Sequence, residues 1–372
     1  MKNNFYFKFY GWWKNIDKFI LLLILSLFFL GLFFSLVSTS LIASDKLDTN
    51  SYYFFIKHLF FIIFGIFILI SISFIEQKKL LQISQLLFII FFIFLILVPI
   101  IGIEVKGSRR WIGLPSPFPN FQPIEILKPF FIIAIASIIS LEKNKNLYFN
   151  YFLSFIVLSP ITFLLAMQPD IGQTILILFT WLALIFVSGV NLFIFFSTFI
   201  IFGALISYLV FYIPKFEYIK NRILSFIDPN SGNNYQSEKA SEAIINGGFF
   251  GKGVGEGTLN SKVPEAHTDY IVSVISEEFG IIIVLIIIFL FLILTYKVFK
   301  KINVEKENRI KLILLGSVSI LLIQTLIHIG VNINFLPTTG MTLPFLSYGG
   351  SSIVSTAILA GIILNLTKRK LN

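Results

Sequence analysis

The chain is a succession of apolar runs, each about 20 residues long and set off by short polar breaks. A helix of that length crosses the hydrocarbon of a bilayer, and a backbone in lipid must satisfy its own hydrogen bonds, so the pattern dictates a bundle of membrane helices. Roughly ten runs can be marked, at about 19–43, 54–75, 82–101, 123–141, 149–167, 170–188, 191–213, 270–296, 312–334 and 350–367. Charged residues make up 13% of the chain, about half the fraction found in soluble domains, which excludes a soluble globular protein. The expected fold class is an all-α polytopic membrane protein, a single integral membrane domain over residues 1–372. Its 45 phenylalanines supply lipid-facing surface, and the absence of cysteine removes disulfides, thiolate nucleophiles and Cys-ligated metals together.

Charge orients the bundle. Lys2, Lys8, Lys14 and Lys18 precede an apolar run too long for a signal-peptide core, so residues 1–18 read as a retained cytoplasmic segment. With that end inside, Lys78 and Lys79, Lys143 and Lys145, the cluster from Lys297 to Lys311, and the tail 368–372 with Lys368, Arg369 and Lys370 all fall on the cytoplasmic side. Both termini are then cytoplasmic, and two long loops, 102–122 and 214–268 between the seventh and eighth spans, face outward. Loops of that length in a compact membrane domain are functional or disordered. They carry Lys106, Arg109, Arg110, Lys215, Lys220, Arg222, Lys252 and Lys262, which line an anion site or are simply solvated.

Particular residues narrow the chemistry. The segment Pro264–Gly280, PEAHTDYIVSVISEEFG, sets Glu265, His267 and Asp269 against an apolar helix, and a carboxylate at the lip of a span is costly unless the site uses it. No nucleophile adjoins the His-x-Asp pair, and one histidine with one carboxylate is a poor metal motif, so Asp269 reads best as a lone general base. In the first outer loop Arg109 and Arg110 offer two guanidinium forks suited to phosphate, followed by the amphipathic ring of Trp111. QPIEILK then places Glu125 and Lys128 three apart on one helix face; they form a pair that helps the helix start, or Lys128 snorkels outward, or both serve a site. QPDIGQT repeats the Gln-Pro corner with Asp170 as cap or site residue, and both corners aim helix N-termini at one leaflet.

Two glycine-rich stretches complete the pattern. NGGFFGKGVGEG, Asn246–Gly257, is no nucleotide loop, because Gly253 follows Lys252 where Ser or Thr would hold magnesium; it reads as a flexible flap bearing Lys252 and Glu256, or as a plain mobile connector. LPTTGMTLPFLSYGGSS, Leu336–Ser352, with Ser347 near its end, reads as a re-entrant loop closing a cavity, because irregular backbone survives near lipid only when protein-buried or facing water. His328 and Asn332 before it read as hydrogen-bonding partners for neighbouring helices.

KGSRRW, QPIEILKP, QPDIGQT, GGFFGKGVGEG, PEAHTDY with SEEFG, and LPTTGMTLPFLSYGGSS occur in an order that resembles the SEDS (shape, elongation, division and sporulation) family of membrane peptidoglycan polymerases. The last motif and the GKGVGEG loop are more similar to the division branch, FtsW, than to the elongation branch, RodA. Ile124 stands where the family usually has Ser, and the SPFPN stretch before Phe121 resembles a lengthened loop.

The resemblance implies polymerisation of lipid II, the undecaprenyl-diphosphate-linked disaccharide pentapeptide, on the outer face of the bacterial cytoplasmic membrane at the division septum. It implies Asp269 as the catalytic base and Arg109, Arg110, Trp111, Glu125, Lys128, Asp170, Lys252, Glu256, His267 and Ser347 as the substrate-binding set. The leaving diphosphate needs positive charge, supplied by Arg109, Arg110, Lys128 or a divalent cation, magnesium or manganese, held with the help of Glu125 and Asp170. No organic cofactor and no nucleic acid is expected. A class B penicillin-binding transpeptidase and other divisome membrane proteins are the implied partners. A lipid II flippase and a non-catalytic division scaffold are the competing readings; a flippase needs polar residues facing inward as well, whereas those here cluster outside.

Overall fold

The computed structural model describes residues 2–36, 52–105, 107–115, 120–141, 146–228, 235–259 and 262–369. Lys106, Lys143, Lys145, Lys370 and most of the SPFPN stretch lie outside the described residues. The described chain forms α1 (Lys2–Asn15), α2 (Lys18–Phe34), α3 (Tyr53–Phe74), α4 (Gln77–Ile101), a hairpin of β1 (Ile103–Val105) and β2 (Ser108–Trp111), α5 (Pro123–Ile139), α6 (Leu147–Met167), α7 (Ile171–Val187), α8 (Leu192–Tyr212), α9 (Glu217–Ile227), α10 (Tyr235–Gly247), α11 (Ile271–Phe279), α12 (Ile281–Val304), α13 (Asn308–Asn332) and α14 (Gly350–Leu366). Apolar content makes these segments helical, and local chemistry sets their ends. Asp17, Asn146, Asp170 and Asn191 accept from free amides at the starts of α2, α6, α7 and α8, and Pro123 opens α5 where its missing N–H costs nothing.

Six of the described helices are long and apolar enough to cross a bilayer, or seven if the bent pair α1–α2 counts as one span. α5, α7 and α14 have 17 residues each, the lower end of what spans. One expected span is corrected. The run at 270–296 is broken into α11 and α12 at Gly280, whose φ of 82° belongs to glycine and whose missing Cβ would sit 2.1 Å from the Phe249 carbonyl oxygen. Hydropathy cannot register such a break, because α11 and α12 are both apolar.

α13 and α14 occupy the centre, buried along most of their length, whereas α8 stands at the edge and buries only Val210. α14 packs tightly along α3, where small residues let the backbones approach: a Cβ on Gly361 would lie 3.0 Å from the Leu69 carbonyl oxygen. At the far end of this seam Asn365 Nδ2 donates to the carbonyls of Ile72 (2.8 Å) and Ile75 (2.6 Å), closing the C-terminus of α3.

The long segment 214–268 is a second structured unit in its described parts. α10 folds over α11, around a small core of Ala240, Ala243, Val263, Ala266, Tyr270, Val274 and Val331, while α9 packs against the end of α8. The glycine-rich stretch is likewise neither flap nor loose connector. The N–H groups of Lys252 and Gly253 donate to the carbonyls of Glu277 (2.9 Å) and Glu278 (3.1 Å), while Ile281 N–H donates to the Gly248 carbonyl (3.0 Å). The loop therefore caps the C-terminus of α11 and fixes the break at Gly280.

Candidate active site

A cavity of about 570 Å³ opens where the hairpin, the N-termini of α5, α7 and α14, the turn before α11 and the segment after α13 meet. Irregular backbone and helix starts converge on it, so it is rich in unpaired main-chain donors and in the polar side chains that begin helices. Arg110, Trp111, Glu125, Asp170 and Asp269, from the expected set, all line it.

The two Gln-Pro corners meet here. Gln122 Nε2 donates to Asp170 Oδ2 (3.0 Å), and Gln122 N–H donates to Ser351 Oγ (3.0 Å), joining α5 to both α7 and α14. Asp170 caps α7 through the Gln173 N–H (3.4 Å) and faces the Arg110 guanidinium at 3.8 Å. Arg110 also donates to the carbonyls of Gln168 and Pro169, so the hairpin is pinned onto the second corner. Adjacent strand residues point to opposite faces. Accordingly Arg109 turns away from the cavity, toward Glu104 at 3.7 Å with half its side chain in solvent.

Glu125 and Lys128 form a closed pair beneath the wall. Their charged atoms lie 2.9 Å apart, with 5% and 1% of the side chains exposed. Gln173 Nε2 donates to Glu125 Oε1 (2.6 Å), and Lys128 Nζ donates to Gln324 Oε1 (3.2 Å). Lys128 thus neither snorkels nor lines the cavity. Its partner Gln324 continues the chain by donating to the Thr342 carbonyl (2.9 Å), tying the pair to the segment that carries Gly340. Gly340 passes beside Asp269: a Cβ there would lie 3.6 Å from Asp269 Oδ2.

Asp269 sits in a tight turn, two residues before α11. Thr268, Asp269 and Tyr270 all direct their N–H groups at the Glu265 carbonyl, 3.1 to 3.3 Å away. Asn332 donates to the Asp269 carbonyl (3.0 Å) while its own oxygen accepts from Ser273, and His328 Nδ1 contacts the Met341 carbonyl (2.7 Å), so both polar residues of α13 act as helix-to-segment ties. From the other side Ser347 Oγ donates to the Thr268 carbonyl (2.7 Å) and Tyr348 N–H to the His267 carbonyl (3.0 Å). The His267 ring packs at a tilt against Phe54 and Tyr348 and is not part of the cavity lining. Ser347 and His267 therefore hold the turn that carries Asp269 and do not border the cavity themselves.

Lys252 and Glu256 are exposed and lie outside the cavity lining, because their loop is committed to capping α11. Gln122 and Gln173, visible in the sequence only as parts of their motifs, also line it. So does Arg222, one of the long-loop cations, which comes from α9 and whose Nη1 donates to the Thr338 carbonyl (3.1 Å). Arg222 also borders an adjoining cavity of about 500 Å³ under α9 and α10. The pairing of Glu125 with Lys128 and of Asp170 with Arg110 leaves no closed ligand set: among the described residues no group of three His, Cys, Asp or Glu side chains could hold a metal.

The chain is similar to known proteins over nearly its whole length. The profile of the FtsW/RodA/SpoVE family, described as cell cycle protein, matches residues 17–372. A Coxiella burnetii protein named "Probable peptidoglycan glycosyltransferase FtsW" is 34% identical over 95% of this chain and 96% of its own length. A Pseudomonas fluorescens protein of the same name is 34% identical over 92% of this chain and 85% of its own. Among solved structures, a chain of a peptidoglycan synthase complex that coordinates polymerization and crosslinking superimposes with a TM-score of 0.78 at 23% identity, covering 95% of this chain and 97% of that one. The rod shape determining protein RodA of Thermus thermophilus superimposes with a TM-score of 0.70 at 22% identity, covering 95% and 96%. With nearly its whole length matched in sequence and in fold, the chain belongs to the FtsW/RodA/SpoVE family of multi-pass membrane proteins.

Proposed function

We propose that this protein is a peptidoglycan glycosyltransferase that polymerises lipid II on the outer face of the bacterial cytoplasmic membrane at the division septum. The observation that carries the reading is the placement of Asp269 and Arg110 on the walls of one cavity, a carboxylate and a guanidinium that the sequence separates by 159 positions. The names of the relatives support the reaction and the division role.

In the proposed step the 4-hydroxyl of the acceptor sugar attacks the anomeric carbon of the donor. The new glycosidic bond forms as the bond from that carbon to the diphosphate oxygen breaks, and the electron pair leaves with the lipid diphosphate. Asp269 accepts the hydroxyl proton, which requires it to be ionised beforehand. Arg110 faces the departing diphosphate and offsets its charge where water is scarce. Trp111 lies at the cavity edge, where an amphipathic ring meets a lipid headgroup. Glu125, Lys128, Asn332 and Ser347 position the walls. A divalent cation, magnesium or manganese, is proposed to enter with the diphosphate as part of the substrate. A class B penicillin-binding transpeptidase is the proposed partner, in keeping with the synthase complex whose chain shares this fold.

Purified full-length protein with its transpeptidase, supplied with lipid II, tests the proposal. Glycan chains should form with the wild type and fall by about 10²- to 10⁴-fold with Asp269→Asn, the range for removing a general base. Unaltered chain formation by the Asn variant would overturn the assignment of the base. Transfer of lipid II between leaflets without polymer would instead establish a flippase.

A further inference from the structure

At the end of the bundle opposite the cavity the chain builds a second polar assembly. α14 begins at Gly350, on the cavity wall, and ends one residue before Thr367; Lys368 and Arg369 therefore emerge about 25 Å away along the helix. There α1 and α2 meet at 92°, so that α1 runs across the axis of α2. Trp12 anchors α1, its indole stacked on Phe74 at 4.4 Å and its Nε1 donating to Ser73 Oγ (3.0 Å). The neighbouring Trp13 and Phe19 face outward, each with 43% of its surface exposed.

Cations converge on this elbow from three elements. Lys14 and Lys18 flank it, Lys297 lies over the Phe19 ring at 4.3 Å, Lys301 pairs with Asp17 at 3.1 Å, and Arg369 donates its N–H to the Asn15 carbonyl (2.9 Å), bringing Lys368 alongside. Asp17 is engaged at both oxygens: one takes Lys301 and the other caps α2 through Phe19 and Ile20. Lys14, Lys18, Lys297 and Lys368 form no ion pair with a described residue. Lys368 is half-buried, and that burial pushes its ammonium down to about 8, so it still carries its charge at neutral pH without a counter-ion.

We propose that this elbow is a binding site for the headgroup of an anionic phospholipid, with its phosphate between Lys368 and the neighbouring lysines and its acyl chains along Trp13 and Phe19. Half-buried Lys297 and Lys368 and exposed Lys14 and Lys18, beside the exposed rings of Trp13 and Phe19 at a sharp bend between two helices, match a ligand with one anionic end and apolar tails. A soluble acidic partner would have no use for the rings. The site is independent of the polymerase reading, since it shares no residue with the cavity.

Full-length protein in nanodiscs of phosphatidylethanolamine containing a minor share of phosphatidylglycerol, analysed by native mass spectrometry, tests it. Retained phosphatidylglycerol should drop roughly fivefold for Lys368→Gln and further for the Lys14→Gln, Lys18→Gln, Lys368→Gln triple variant, with melting temperature unchanged. Lys306→Gln, which removes an exposed charge on the turn after α12, should retain the wild-type amount. Equal loss with Lys306→Gln, or no loss with the triple variant, would reduce the elbow to ordinary surface charge. Displacement of the lipid by inorganic phosphate, together with phosphate binding in purely zwitterionic nanodiscs, would make it a site for the free anion and overturn the lipid assignment.

Discussion

Two ion pairs stand within the wall of one cavity, and they differ in every respect that matters to a charged substrate. Lys128 and Glu125 are 2.9 Å apart, almost wholly buried, and each is satisfied a second time by a glutamine, Gln324 or Gln173. Arg110 and Asp170 are 3.8 Å apart, and 21% of the arginine side chain is open. The first pair was made inside the helix bundle, where a lone charge is intolerable; the second was made between a hairpin and a helix start, where solvent reaches one partner. A buried closed pair fixes geometry, and a half-open one can exchange partners with an incoming anion. On this comparison the lysine is a positioning group and the arginine is the proposed diphosphate contact.

The largest effect should come from opening the closed pair. Lys128→Met leaves Glu125 buried without its counter-charge and should cost about 3–5 kcal/mol of stability, read as a large loss of monodisperse protein on heating. Adding Glu125→Gln removes the stranded charge while keeping an acceptor for Gln173, and should restore most of the melting temperature. A single Lys128→Met variant as stable as the wild type would end the comparison. Arg110→Gln comes next: stability should fall less than for Lys128→Met, because Asp170 keeps the Gln122 and Gln173 donors, while turnover on lipid II falls roughly ten- to a hundredfold, the equivalent of about 1.5–3 kcal/mol for one charge-assisted contact. A melting temperature that falls as far as that of Lys128→Met would show that both pairs are structural. Arg109→Gln should do least, within about 0.5 kcal/mol in stability and with full turnover, since it loses only an exposed contact to Glu104. Turnover as low as that of Arg110→Gln would mean that the hairpin presents its other face to substrate.

How much of this could be read from the residues depended on how local the cause was. The helices of the bundle follow from apolar run length, and their starts from Asp17, Pro123, Asn146 and Asp170, each acting within a few positions of itself. Asp269 was legible for the same reason: a carboxylate at the edge of an apolar helix stands out without any fold. What stayed hidden was set by distant partners. Whether Lys128 snorkels or is buried is decided by Gln324, 196 positions away, and the break at Gly280 by the carbonyl of Phe249 on another segment. The separate fates of Arg109 and Arg110 need the hairpin, whose alternation sends one side chain in and its neighbour out. The glycine-rich loop misled in the opposite sense, because its composition fits a flap or a connector while the amides of Lys252 and Gly253 are occupied by the carbonyls of α11.

The position of α14 at the centre of the bundle bears on how the protein is made. Synthesis runs from the N-terminus, yet this final helix supplies Gly350 to Ser352 to the cavity wall, donates from Ser355 Oγ to the Glu125 carbonyl (2.6 Å) and closes the end of α3 through Asn365. Until it arrives, the early helices must wait in the bilayer with a seam of glycines and open carbonyls where their last neighbour belongs. A ribosome that stops short of residue 350 therefore releases a membrane-inserted bundle with no finished cavity, and a cell is spared a truncated enzyme acting on its wall.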